Sequence, residues 1–272
     1  MITIPKTLHR PLVLAGTLLL AVAAFANIAS ATHAWGPYHW ARTSNPFTLK
    51  LGDNVSSTWD AYLATTASDW SLSDVLDTTV VGGQAKGSCR PTAGRVEVCA
   101  KAYGATGWLG LAQIWINPSN HITQGTAKMN DTYFNTATYN TPGWRSLVMC
   151  QEVGHPLGLG HQDEDFNNPP ITPHTCMDYF VPGTDEIVHP NQHDYDELAL
   201  IYAHLDSSTT VGASLPLGGK GVDIDLESPP AWGKVLHEDG DGNPSIYVRE
   251  LGGGERLFTF VFWTKGEHGR GK

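Results

Sequence analysis

The spacing of apolar positions changes period several times along this chain, and each change marks an element. After an aromatic, extended lead-in over residues 35–46, residues 47–52 (FTLKLG) alternate apolar and polar side chains, the period-two pattern of a half-buried strand. Asp53 or Asn54 is placed to cap a helix running through Trp59, Tyr62 and Leu63 towards Trp70. Residues 75–81 read as a second strand, and this β-α-β opening favours neighbouring parallel strands. Residues 88–100 read as a turn and strand. Residues 109–116 give a strong strand signal, closed by a turn at Asn117-Pro118, and residues 122–130 give another. Over residues 143–157 the period becomes helical, with Trp144, Leu147, Val148, Gln151 and His155 on one stripe. A loop rich in Asn, Pro and Asp spans 162–175. Residues 194–205 form a last helix, with Leu198, Ile201 and Tyr202 on one side.

Composition shifts at Ser207. Residues 207–230 are rich in Ser, Gly and Pro and read as a linker. Residues 231–272 then read as a small β-rich tail, with strands near 234–237, 245–249 and 257–263. The turn Asp239-Gly-Asp-Gly-Asn243 lacks the Gly and bidentate Glu of a calcium loop and reads as a hairpin turn.

The first residues change the expected compartment. Lys6 and Arg10 precede an apolar run over 11–25, and Ala29-Ser30-Ala31 fits a small-x-small cleavage rule. The run falls short of the ~20 residues that span a bilayer. Residues 1–31 therefore read as a signal peptide cleaved after Ala31, giving a secreted protein with no stable membrane anchor. All four cysteines, Cys89, Cys99, Cys150 and Cys176, follow that point, and an oxidising compartment favours disulfides. Three pairings exist. Cys89–Cys99 with Cys150–Cys176 is favoured because the first pair closes a short loop suited to a hairpin. A four-thiolate metal site has no C-x-x-C spacing to support it. The net charge of −10, without any basic run, argues against nucleic acid as a partner. Two sequons, at Asn54 and Asn130, matter only in a eukaryotic secretory route.

The chemistry concentrates in residues 151–161, QEVGHPLGLGH. Positions 151 and 155 lie one helical turn apart and can face the same metal ion. Gly158 can take φ > 0 and turn the chain so that His161 returns as a third ligand. Glu152, beside them, can take a proton from water and pass it to a leaving amine. Scattered histidines, among them His121, His174, His189, His204 and His237, read as structural or exposed, and His193 as a cap for the last helix. Neither a Gly-x-Ser-x-Gly elbow nor a Gly-rich phosphate loop is present.

This segment resembles the signature of the metzincin zinc peptidases, matrixin-like in type, H-E-x-x-H-x-x-G-x-x-H followed by a Met-turn. His155, Gly158 and His161 keep its second half, and Thr175-Cys-Met177-Asp-Tyr179 resembles the Met-turn. The resemblance covers roughly residues 47–205. It implies an α+β fold, a metzincin-like zincin domain over 32–206, with a twisted mixed sheet, an active-site helix and a C-terminal helix. It implies one catalytic Zn2+ held by His155, His161 and Gln151, Glu152 as general base, and Tyr179 near the metal. It implies a zinc metalloendopeptidase acting on a peptide or protein laid along the edge strand near 109–116. It also brings Cys150 and Cys176 together beneath the metal. Two positions depart from the pattern. Gln151 replaces the first histidine, so Tyr179, Asp163 or Asp165 is expected to assist. Pro156 is expected to end or kink the helix and push His155 out of the α region. Both departures support the alternative, a catalytically inactive peptide- or protein-binding module. The acidic run at 163–165 leaves a calcium-like second site open, without positive support.

Overall fold

In the computed structural model, residues 1, 32–85, 89–214 and 226–265 are described. The expected signal peptide lies outside them, except for Met1. Among these residues the elements run β1 (His39–Trp40), β2 (Phe47–Asn54), α1 (Asp60–Trp70), β3 (Leu76–Gly82), β4 (Val96–Lys101), β5 (Trp108–Ile116), β6 (His121–Asn130), α2 (Asp131–Phe134), α3 (Pro142–Gly154), α4 (Gln192–Ile201), β7 (Lys234–Glu238), β8 (Pro244–Gly252) and β9 (Glu255–Trp263). The strands form one sheet in the order β3-β2-β4-β6-β5-β9-β8-β7, with β1 beside the start of β6. The β2–β3, β2–β4, β4–β6 and β1–β6 pairs are parallel, as the β-α-β opening predicts. From β6 onward every pair is antiparallel. The fold is thus α+β with a mixed sheet.

The alternation read from sequence sorts side chains onto two faces. Leu63, Ala67 and Trp70 of α1 and Leu147, Val148 and Val153 of α3 share one core with Leu49, Val98, Ile114, Phe258 and Phe260. Trp108, Leu111, Val261 and Trp263 instead join Trp232 and Tyr247 in a second cluster on the other face.

That second cluster corrects the reading of residues 207–272. The three expected tail strands exist, but they are not an appendage. β9 pairs with β5 from Trp108↔Trp263 to Ile116↔Arg256, and residues from Thr32 onward form one compact unit. The described parts of the supposed linker are also fastened. The Thr210 N–H donates to Ala41 O and the Gly212 N–H to Gly94 O, while Gln113 Nε2 donates to Leu226 O and Trp108 Nε1 to Glu227 O. A two-faced apolar strand such as β9 needs cover on both sides, which a free tail cannot give.

Smaller corrections have local causes. Asp53 and Asn54 end β2 rather than capping α1, whose first residue follows Trp59 without a side-chain cap. Asn191, not His193, caps α4 through a capping box with Asp194. The Asn130 sequon is closed: its side chain is fully buried and donates to Gly104 O, Thr106 Oγ1 and Trp108 O. Asp239 closes the β7–β8 turn by accepting the Asp241 and Asn243 N–H groups.

The favoured cysteine pairing is present. Cys89–Cys99 and Cys150–Cys176 have Cα separations of 6.1 and 5.8 Å. The second bridge closes a loop of 26 residues, which in the chain-entropy view stabilises by about 3 kcal/mol. Replacing Cys150 and Cys176 together by Ser should therefore lower unfolding stability by about 3 kcal/mol in urea titration. Unchanged stability would show that the loop is held by its packing alone.

Candidate active site

The helix that carries the chemistry is well specified. The Thr141 side chain accepts the Trp144 N–H, and Pro142 opens α3 where a missing N–H costs nothing. The stripe of Trp144, Leu147, Val148, Gln151 and His155 is buried throughout. The helix gives way at His155 to a 3-10 turn (His155–Leu157), and Gly158, at φ 107°, reverses the chain towards His161. Pro156 thus sits where the helix ends. His155 nevertheless keeps α-region angles, contrary to expectation. Three side-chain donors hold this turn: Trp35 Nε1 to His155 O at 3.1 Å, Trp40 Nε1 to Pro156 O at 2.8 Å and the Tyr202 hydroxyl to Leu157 O at 2.9 Å. They satisfy carbonyls that a helix end leaves without partners.

The turn places His155 and His161 edge to face, ring centres 4.6 Å apart. His155 Nδ1 lies 2.8 Å from Leu159 O, and a carbonyl only accepts, so Nδ1 carries the proton and Nε2 keeps its lone pair. His161 Nδ1 is held by Glu164 Oε1. Glu164 in turn accepts Ser245 Oγ at 3.2 Å and faces His237 Nε2 at 2.9 Å. Burial pushes the Glu164 carboxyl up, but the His161 and His237 rings and the Ser245 hydroxyl draw it below the usual range. Glu164 is the residue that sequence reasoning missed. It belongs to the acidic run at 163–165, and its position three residues after His161 is a local signal. The rest of that run does cap turns: Asp163 accepts the Asp165 N–H and the Asn168 amide, and Asp165 accepts from Asn167. Neither is shown assisting Gln151.

Gln151 and Glu152 are fully buried, and all four of their side-chain polar atoms lack a hydrogen-bond partner among the described residues. Glu152 packs against Gly110 of β5, where any Cβ would strike its carboxylate. Burial alone pushes the Glu152 carboxyl well above its ordinary range. Burial, then the neighbouring His161, holds His155 well below the ordinary imidazole range, which keeps it neutral. Among the described residues no third His, Cys, Asp or Glu joins His155 and His161 within 4.8 Å. Gln151 lies one helical turn before His155 on the same buried stripe. Two imidazoles and an unpartnered buried amide are nitrogen and oxygen donors of the kind zinc takes. Unpartnered buried polar atoms are costly, which is a second reason to expect a cation or water among them.

Met177 lies directly under the helix end. A Cβ at Gly154 would come within 2.6 Å of Met177 Sδ and 2.9 Å of the Trp70 ring. Gly154→Ala should destabilise the fold by about 1–3 kcal/mol through overpacking, read as a lower urea midpoint. A rise in midpoint would mean that the helix-propensity gain outweighs the clash. The Cys150–Cys176 bridge ties this floor to α3. Tyr179 is buried with its ring 4.8 Å from His161, but its hydroxyl donates to Val261 O at 3.3 Å. Burial first, then the Glu164 and Glu152 charges, push that phenol well above its usual range.

Val261 belongs to β9, and β9 is the largest departure from expectation. β5 was expected as an open edge for an extended peptide. Its free side is instead filled by β9, which runs antiparallel along its whole length. Phe258, Phe260 and Phe262 alternate onto the site's face. Phe260 stacks on His155 with ring centres 4.2 Å apart, and Phe262 lies 4.7 Å from Tyr179. Small residues on β5 make room: Gly110 sits opposite Phe262, and Ala112 opposite Phe260.

No family model matches the sequence, and no curated protein does. Among solved structures, the chain is similar to High choriolytic enzyme 1, a hatching enzyme zinc-protease from the medaka fish Oryzias latipes. That match has 12% identity and a TM-score of 0.33, covering 61% of this chain and 94% of the other. It is also similar to myroilysin, at 15% identity and a TM-score of 0.33 over 60% and 96% of the two chains.

Proposed function

We propose that this chain is a zinc-dependent endopeptidase held latent by its own C-terminal strand. One observation carries the reading. His155 and His161 have both Nδ1 atoms engaged, which leaves Nε2 to ligate, and the same helix carries a buried amide and a buried carboxylate that no group among the described residues satisfies. Gln151, His155 and His161 would hold the ion, which when bound supplies Lewis acidity and a water of lowered pKa. Glu152 takes a proton from the attacking water and returns it to the leaving amine. Glu164 fixes the tautomer of His161, and Tyr179 closes the wall of the site. The substrate, an extended peptide, would pair with β5 in the lane that β9 fills, since β9 already makes the antiparallel pairing that strand addition requires. Export is supported by the two disulfides together with the leader-like sequence of residues 1–31.

A second reading, a catalytically silent peptide- or protein-binding module, is favoured by the Phe260 ring stacked on His155 and by an amide where a third imidazole would stand. Zinc analysis of purified protein, with His155→Ala and His161→Ala alongside, tests the donor set. Hydrolysis of an unstructured peptide by zinc-loaded protein, before and after release of β9, tests the activity. Loss of one zinc equivalent in each variant with hydrolysis after release supports the peptidase; zinc binding without hydrolysis after release supports the silent module.

Gln151→His should bind zinc roughly tenfold more tightly, a gain of about 1.4 kcal/mol. An imidazole is a better donor than a neutral amide, and the fully buried position offers no competing solvent. Competition with a chromogenic chelator reads it. Weaker binding would mean that Gln151 is fitted to hydrogen bonding rather than to ligation.

A further inference from the structure

Three histidines far apart in sequence meet away from the residues discussed so far. His39 lies in β1 and His121 begins β6, opposite each other in the parallel register. His204 follows α4, and Asp206 lies two residues on. Their polar atoms converge. His39 Nε2 is 3.4 Å, His121 Nε2 3.3 Å and His204 Nε2 3.9 Å from the same oxygen, Asp206 Oδ1. His39 Nε2 and His204 Nε2 are 3.2 Å apart. His39, His204 and Asp206 form a mutually close donor group, and His121 meets it through the carboxylate.

His39 makes one contact, to Asp206 Oδ1, that a hydrogen bond from a neutral ring does not explain. His39 Nδ1 lies 3.1 Å from Pro37 O, so Nδ1 carries the proton. In the neutral ring Nε2 is then a lone pair, and it faces a carboxylate oxygen and a second imidazole nitrogen. Lone pairs aimed at one point are stable when a cation lies between them. The spacing matches one: four donors about 2.0–2.1 Å from zinc in a tetrahedron stand about 3.3–3.4 Å apart. Three of these four separations, 3.2, 3.3 and 3.4 Å, fall close to that edge.

The outer contacts are in place as well. Asp206 Oδ2 is taken by Arg42, through Nη1 at 2.9 Å and the backbone N–H at 3.2 Å, which leaves Oδ1 for an ion. Arg42 also donates to Tyr202 O and His204 O, and the Asp206 N–H donates to Arg42 O at 2.9 Å. Such support orients carboxylate and imidazole ligands in metal sites. His39 is 7% exposed while the His204 side chain is 56% exposed, so the cluster has a buried floor and an open mouth. A shallow pocket lined by Pro37, His39, Ile201 and His204 leads to it.

We propose that His39, His121, His204 and Asp206 form a second, structural binding site for a divalent ion of the zinc class. With His39, His204 and Asp206 mutually close and His121 on the same carboxylate oxygen, the ion would join β1, β6 and the end of α4. The site shares no residue with the candidate active site.

The test uses the purified full chain, stripped with a chelator and titrated with Zn2+ and, separately, Co2+. His204→Ala, at the exposed mouth, should lose one bound equivalent and the tetrahedral cobalt absorption of this site, and should lose the rise in Tm that zinc gives the parent. Its Tm in chelator should match the parent's. His121→Ala should behave alike. His155→Ala must leave this equivalent in place, so failure of the peptidase reading and failure of this one are separable. Zinc content and cobalt spectrum unchanged in both His204→Ala and His121→Ala would overturn the site, as would loss of all bound zinc on His155→Ala.

Discussion

A protease site built into the exposed glycine turn at 252–254, cut after folding, should raise peptide hydrolysis by zinc-loaded protein at least about 100-fold. The turn is held by positive-φ glycines and is open to solvent, so a short insertion there disturbs no core side chain. Before the cut, β9 competes with substrate at the effective concentration of a tethered segment, on the order of millimolar. After the cut, the 255–272 fragment competes only at its own concentration, micromolar in an assay. The lane along β5 then opens, and the Phe260 ring leaves His155. A synthetic 255–265 peptide added in excess should suppress the gained activity. If the cut chain keeps its fragment through gel filtration and stays inert, β9 is permanent core, and the silent module becomes the better account of the site.

The place of β9 inside the sheet explains why the sequence was legible in parts and not in others. Its alternation was readable, and a strand was expected near 257–263. Its partner was not readable, because the pairing of Trp115 with Leu257 joins residues separated by a stretch of Ser, Gly and Pro that resembles a linker. One signal was available. Val261 and Trp263 on one face and Phe258, Phe260 and Phe262 on the other make β9 apolar on both sides, the mark of an interior strand. Composition favoured a tail, while periodicity already argued for the sheet.

The candidate site divides in the same way. Spacing brought out Gln151, Glu152, His155 and His161 because all four depend on one helix and one turn. It also brought out the Cys150–Cys176 bridge, through the elements that resemblance placed together. Glu164 was hidden only by the acids on either side of it. The cluster of His39, His121, His204 and Asp206 was beyond reach, since its members meet only through the β1–β6 register and the return of the chain after α4. Each of those histidines alone has the surroundings of an ordinary structural residue.

Within the released protein, Glu152→Gln should lower hydrolysis by about 10²–10⁴-fold while leaving zinc content unchanged. The substitution keeps the size of the side chain and removes the carboxylate proposed to accept a proton and return it. The amide fits the pocket: Glu152 is fully buried against Gly110, and no partner among the described residues depends on its charge. Burial already disfavours the ionised carboxylate, so a neutral amide should leave the metal-free fold at least as stable. This separates Glu152 from the proposed donors, whose replacement by Ala should remove this site's zinc equivalent and activity together. A variant that loses activity only along with its zinc would place Glu152 among the ligands. One that keeps full activity would place the general base elsewhere, and the role assigned to residue 152 would fall.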